Sequence, residues 1–169
     1  MDVENAIKTA IEYETRVKAV YAEAAEKITD QIGKKVVSAL ADEEQNHVNY
    51  LKTRLRQWHE QGKLTPEKLE TVVPDRKAIG EGVKKLKGHM KIADRDTQLQ
   101  MLWKALEVEI ETSNFYKQMV SQLEAEPQKM FARFLEIEDG HQAIVKAEID
   151  ALTGMGVWFD FVEFDLEAN

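Results

Sequence analysis

Six side chains in this sequence have the types and spacing of metal ligands: Glu14, Glu44 with His47, Glu109, and Glu138 with His141. A Glu and a His three residues apart lie about one helical turn from each other on the same side, so both can reach one point in a helix bundle. The pattern occurs twice. Glu14 precedes Tyr21 by seven residues and Glu109 precedes Tyr116 by seven, while the steps from Glu14 to Glu44 and from Glu109 to Glu138 are 30 and 29 residues. Four carboxylates facing one core would each cost several kcal/mol to bury ionised, and would mostly protonate unless cations neutralised them. Two divalent ions balance four carboxylates and two neutral imidazoles. Mixed carboxylate and imidazole ligation suits iron or manganese better than calcium or magnesium, which prefer all-oxygen shells. The competing reading is a structural bundle whose core Glu and His hydrogen-bond one another.

Positioning these residues requires helices, and the sequence is patterned for them. Only Pro66, Pro74 and Pro127 interrupt a chain dominated by Ala, Glu, Lys, Gln and Leu at helical spacing. Val3, Ile7, Ala10, Val17, Tyr21, Ala24 and Ile28 form a first apolar stripe whose gap is filled by Glu14. Val37, Leu40, Leu51, Leu55 and Trp58 form a second around Glu44 and His47. A third, from Leu99 to Leu123, carries Glu109 at its centre, and a fourth, with Phe131, Phe134, Val145 and Leu152, carries Glu138 and His141. Pro127 suits the first turn of the fourth helix. Between Gly62 and about Asp94, repeated Gly and Pro leave room for a short helix at most. The expected fold is all-α: two short-linked helix pairs joined by a long crossover between the second and third helices, which is the ferritin-like form of the four-helix bundle. Residues 1–152 form the bundle and 153–169 an aromatic C-terminal tail.

Composition narrows the chemistry. With 169 residues, one domain with one sizeable core is the default. The absence of cysteine removes disulfides, thiolate zinc sites and any cysteine-ligated iron centre, so a metal here takes nitrogen and oxygen ligands. A formal charge of −8 argues against binding nucleic acid or anionic lipid, both of which need clustered Lys and Arg. No apolar run approaches bilayer length and the N-terminus lacks a signal-peptide pattern, so the expected location is the cytoplasm, with no membrane partner.

The order Glu, Glu-x-x-His, Glu, Glu-x-x-His resembles the ferritin-like diiron carboxylate proteins, which include rubrerythrins and bacterioferritins, and the resemblance runs from about Val3 to Leu152. It implies two iron ions, with manganese or zinc as substitutes. Glu14 and Glu109 would be terminal ligands, Glu44 and Glu138 would bridge, and His47 and His141 would each cap one iron. The aromatic tail is similar to those of some rubrerythrin-like proteins. Two departures shape the expectation. Rubrerythrins commonly place an extra iron-binding Glu one turn after the third-helix Glu, where this chain has Thr112, and many carry a cysteine-ligated rubredoxin domain. Bacterioferritins ligate haem through a Met after the first bridging Glu, where this chain has Gln45, so no haem is expected; the run Asp139-Gly140-His141 is bacterioferritin-like.

The implied activity is a rubrerythrin-like, non-haem diiron oxidoreductase that reduces hydrogen peroxide or dioxygen, peroxide being favoured, with electrons from an external donor protein and a homodimer as the expected assembly. The alternative is a ferroxidase or iron-storage protein built as a cage. Other residues carry weaker expectations. Tyr21 and Tyr116 share faces with Glu14 and Glu109, within range to hydrogen-bond a ligand carboxylate. Glu12, Glu43, Glu107 and Glu111 flank the ligands at angles that face solvent. His59 and His89 are expected at the surface or in packing, and Lys84, Lys85, Lys87 and Lys91 on a solvated face. Trp158, Phe159, Phe161, Val162, Phe164 and Leu166 are too apolar to remain in water, and pack either on their own bundle or on a second subunit.

Overall fold

The computed structural model describes residues 1–65, 67–85 and 94–162, with the Lys85 side chain also outside the description. Among these, five α-helices and no strand occur: α1 (Val3–Lys27), α2 (Gln31–Gln61), α3 (Arg76–Lys85), α4 (Arg95–Gln122) and α5 (Ala125–Gly154). Local signals set the helix ends. The Asp2 side chain accepts the Asn5 amide and caps α1, and Asp30 accepts the Gly33 amide at 2.9 Å and caps α2. Gly62, at φ 64°, ends α2 in the left-handed conformation that glycine adopts without a Cβ penalty. Pro127 lies in the first turn of α5, where its missing amide costs nothing.

The α1–α2 and α4–α5 connections are a few residues long, which makes each pair antiparallel, and among the described residues from Gly62 to Asp94 the only helix is α3. α1 packs on α2 and α4, α4 packs on α5, and α3 lies on α5. The apolar interior falls into two clusters. One gathers Ala6, Ile7, Ala10, Leu51, Phe115, Tyr116, Met119, Phe131 and Phe134; the other gathers Val17, Tyr21, Ile28, Val37, Leu40, Leu102, Ile144 and Val145. On every long helix the ionisable positions fall where one cluster gives way to the other, so a buried polar layer divides the core.

The tail closes the second cluster. Trp158, Phe159 and Phe161 are buried on this chain's own bundle. The Trp158 indole Nε1 donates to Gln98 Oε1 at 2.8 Å, and the Phe159 amide donates to Glu148 Oε2 at 2.9 Å. Phe164 and Leu166 lie outside the described residues, as do His89, Lys87 and Lys91. Among the described residues no helix is long and apolar enough to cross a membrane.

Candidate metal centre

All six residues singled out by spacing are fully buried in the polar layer: Glu14 from α1, Glu44 and His47 from α2, Glu109 from α4, and Glu138 and His141 from α5. Ligand-type atoms of Glu14, Glu44, His47 and Glu138 all lie within 4.8 Å of one another, and so do those of Glu44, Glu109, Glu138 and His141. Glu44 and Glu138 belong to both groups. His47 Nδ1 is 3.1 Å from Glu14 Oε2 and 3.2 Å from Glu44 Oε2, while His141 Nδ1 is 2.8 Å from Glu44 Oε1 and 3.5 Å from Glu109 Oε1. The two imidazoles stack at 5.5 Å between centroids and 11° between planes.

The tyrosines cross between the halves of the repeat. Tyr21, on α1, donates its hydroxyl to Glu109 on α4, and Tyr116, on α4, donates to Glu14 on α1. Helices α1 and α4 are neighbours, so each phenol reaches the carboxylate of the facing helix rather than one on its own. Thr112, one turn after Glu109, turns its hydroxyl back to the Val108 carbonyl at 2.8 Å.

Burial and neighbouring charges shift the titration of most groups in this layer. Burial, reinforced by Glu44, pushes Glu14 up to about 8 against the opposing pull of His47. Burial together with Glu109 and Glu14 raises Glu138 well above the carboxylate range. Burial works against a charged His47, yet Glu44 and Glu14 outweigh it and lift the imidazole to about 10; His141 is raised likewise by Glu44 and Glu109. Glu44 resists burial because His47 and His141 beside it hold its carboxyl well below the usual range. Burial also raises both tyrosines, and Glu109 and Glu14 add to it at Tyr21 and Tyr116 respectively.

Several buried atoms of this layer make no hydrogen bond among the described residues: Glu44 Oε1, Glu109 Oε2, both oxygens of Glu138 and His141 Nδ1; His47 Nε2 and His141 Nε2 are also unpaired but face Glu43. Buried polar atoms are nearly always paired, and an unpaired carboxylate is costly. A set of oxygen and imidazole donors left without partners around one point is the chemistry that a pair of divalent cations would satisfy. The residues present therefore fit a two-metal centre.

One expectation needs correction. Glu43, placed on the solvent face from its angle to Glu44, is 4% exposed, and its Oε1 lies 3.8 Å from His47 Nε2 and 3.5 Å from His141 Nε2. Its other oxygen accepts the Val72 amide at 3.3 Å. The crossover folds over that side of α2 and removes it from water. A signal for this was present in the sequence, since Glu43 is four residues before His47 and therefore shares a face with it. Glu12, Glu107 and Glu111 are exposed as expected, with Glu111 paired to Arg16, and His59 is an exposed partner of Glu4 at 3.2 Å. Glu148, not singled out by spacing, is a further buried carboxyl, raised by burial and by Asp160 and Asp30 against the Phe159 amide.

Fold and site together define a ferritin-like helical bundle with a buried carboxylate and histidine cluster that could hold metal. The rubrerythrin family profile matches residues 5–149, and the chain belongs to the rubrerythrin family. Among solved structures, a hypothetical protein from Pyrococcus furiosus is similar in fold, with a TM-score of 0.62 at 22% identity, covering 90% of this chain and 91% of that one. No curated protein matches the chain.

Proposed function

We propose that the chain is a non-haem diiron oxidoreductase of rubrerythrin-like type, which reduces hydrogen peroxide or dioxygen with electrons supplied by a separate protein. The observation that carries this reading is the buried, duplicated Glu, Glu-x-x-His set with two overlapping donor groups that share Glu44 and Glu138. Two ferrous ions bound there would supply the two electrons that cleave the O–O bond of peroxide. Glu44 and Glu138, which belong to both donor groups, would be shared by the two ions; Glu14 with His47 would hold one ion, and Glu109 with His141 the other. The Tyr116 and Tyr21 hydroxyls orient the two terminal carboxylates. The apolar clusters on either side exclude water from the layer. These 169 residues contain no cysteine for a rubredoxin-type centre, and in this reading a separate donor protein supplies the electrons.

A ferroxidase is the competing reading, and Thr112 is the observation in its favour, because it offers no carboxylate to exchange with His when the iron valence changes. Anaerobic loading with ferrous iron tests the centre first. Wild type should take up two ions per chain, and Glu44→Ala and Glu138→Ala should each lose most of both; near-zero uptake by wild type removes the diiron reading. Stopped-flow mixing of the loaded protein with peroxide or dioxygen at equal concentration then separates the activities. Peroxide should react faster, and Thr112→Glu should widen the margin. Faster reaction with dioxygen, accompanied by soluble iron mineral in a large oligomer, establishes the ferroxidase instead of the homodimeric peroxidase.

A further inference from the structure

His47 and His141 each present two different faces to their surroundings. Both Nδ1 atoms point into the carboxylate layer, at 3.1 Å from Glu14 and 2.8 Å from Glu44 respectively. Both Nε2 atoms point the other way, toward one atom, Glu43 Oε1, at 3.8 and 3.5 Å. Among the described residues none of these three atoms, His47 Nε2, His141 Nε2 and Glu43 Oε1, has a hydrogen-bond partner. An imidazole nitrogen that ligates a cation must be unprotonated, so the ring's proton moves to the other nitrogen, which then needs an acceptor. With Nδ1 facing the donor layer, both protons belong on Nε2. The carboxylate between them is held from behind, since its Oε2 accepts the Val72 amide of the crossover at 3.3 Å.

We propose that Glu43 is a positioning residue shared by both metal sites: a single carboxylate oxygen that receives the Nε2–H groups of His47 and His141, fixes both rings in the tautomer that presents Nδ1 to the ions, and ties that orientation to the crossover at Val72. This rests on the two-metal reading above. It differs from the usual outer partner of a ligating histidine in that one acceptor serves two rings, so one substitution should disturb both ions together.

The test uses the full chain loaded with zinc(II), which is diamagnetic, and long-range proton–nitrogen correlation of labelled histidines. In wild type, two zinc ions should bind, with metal-shifted Nδ1 and protonated, slowly exchanging Nε2 on both His47 and His141. In Glu43→Ala both Nε2 protons should exchange rapidly, and the affinity for both ions should fall about 10- to 100-fold while two still bind at saturation. Glu43→Gln keeps a carbonyl acceptor and should recover part of the loss; circular dichroism of each variant reports the fold. Unchanged ring-nitrogen signals and affinity in Glu43→Ala overturn the proposal and leave the two-metal centre standing. Metal-shifted Nε2 in wild type also overturns it, as does outright loss of one ion from Glu43→Ala, which makes Glu43 a ligand. Wild type that binds no zinc and no ferrous iron overturns both readings at once.

Discussion

Glu14 and His47 show how closely metal and proton compete for this layer. In the metal-free chain Glu14 titrates at about 8, raised by burial and by Glu44, and His47 at about 10, raised by Glu44 and Glu14 over the opposing effect of burial. Below about pH 8 both groups hold protons that a cation must displace, so uptake should release protons and weaken as pH falls. Calorimetric titration with zinc in buffers of different ionisation enthalpy measures the number released. That number should decline as pH rises through about 8, and affinity that does not depend on pH over this range would contradict the protonated state described for Glu14. The tyrosines belong to the same account, because each donates to a carboxylate. Tyr116→Phe leaves a buried Glu14 oxygen without its donor and should lower metal-free stability by about 1–3 kcal/mol, read from denaturant midpoints.

Between elements, the contact of the tail with α2, α3 and α5 is specified by two glycines and one carboxyl. A Cβ at Gly33 would come within 2.4 Å of the Trp158 ring, and one at Gly82 within 2.4 Å of the Phe159 ring. Gly33→Ala should therefore displace Trp158, cost about 1–3 kcal/mol through overpacking, and red-shift its emission in a background where Trp58 and Trp103 are Phe. The α5 carboxyl Glu148 meets the same tail, accepting the Phe159 amide with one oxygen while the other has no partner among the described residues. Burial, with Asp160 and Asp30 adding to it, raises its folded pKa well above 4.5. A raised carboxyl contributes stability that is fully present below its unfolded pKa and is lost as pH rises through the folded one. Glu148→Gln keeps an acceptor without the titration. Metal-free wild type should lose stability relative to this variant as pH rises above about 5, and parallel melting curves would show that Glu148 is not buried as a neutral acid.

At the scale of the whole molecule, four helices converge on a layer that none of them could bury alone. Ions bound only by the folded state stabilise it by about 4 kcal/mol at roughly a thousandfold excess over Kd. Chelation should accordingly lower the melting temperature. Replacing all six ligand residues with apolar side chains of similar size should raise the stability of the metal-free bundle, since the buried charges and their unpaired atoms disappear. If chelation removes the metal without changing the melting temperature, the centre is not coupled to folding.

Helical periodicity and the duplicated spacing were enough to read four long helices, a crossover carrying a short helix, and the six Glu and His residues that meet in the buried layer, because each signal is local: a Glu and His one turn apart share a helix face wherever the helix goes. Three features were settled only by the tertiary structure. Tyr21 and Tyr116 bond to the facing helix, since their reach depends on which helices are neighbours. Trp158 and Phe159 find their places against Gly33 and Gly82, residues distant in sequence. Glu43 is buried because the crossover near Val72 lies across it, and angle along a helix distinguishes faces but does not say what covers them.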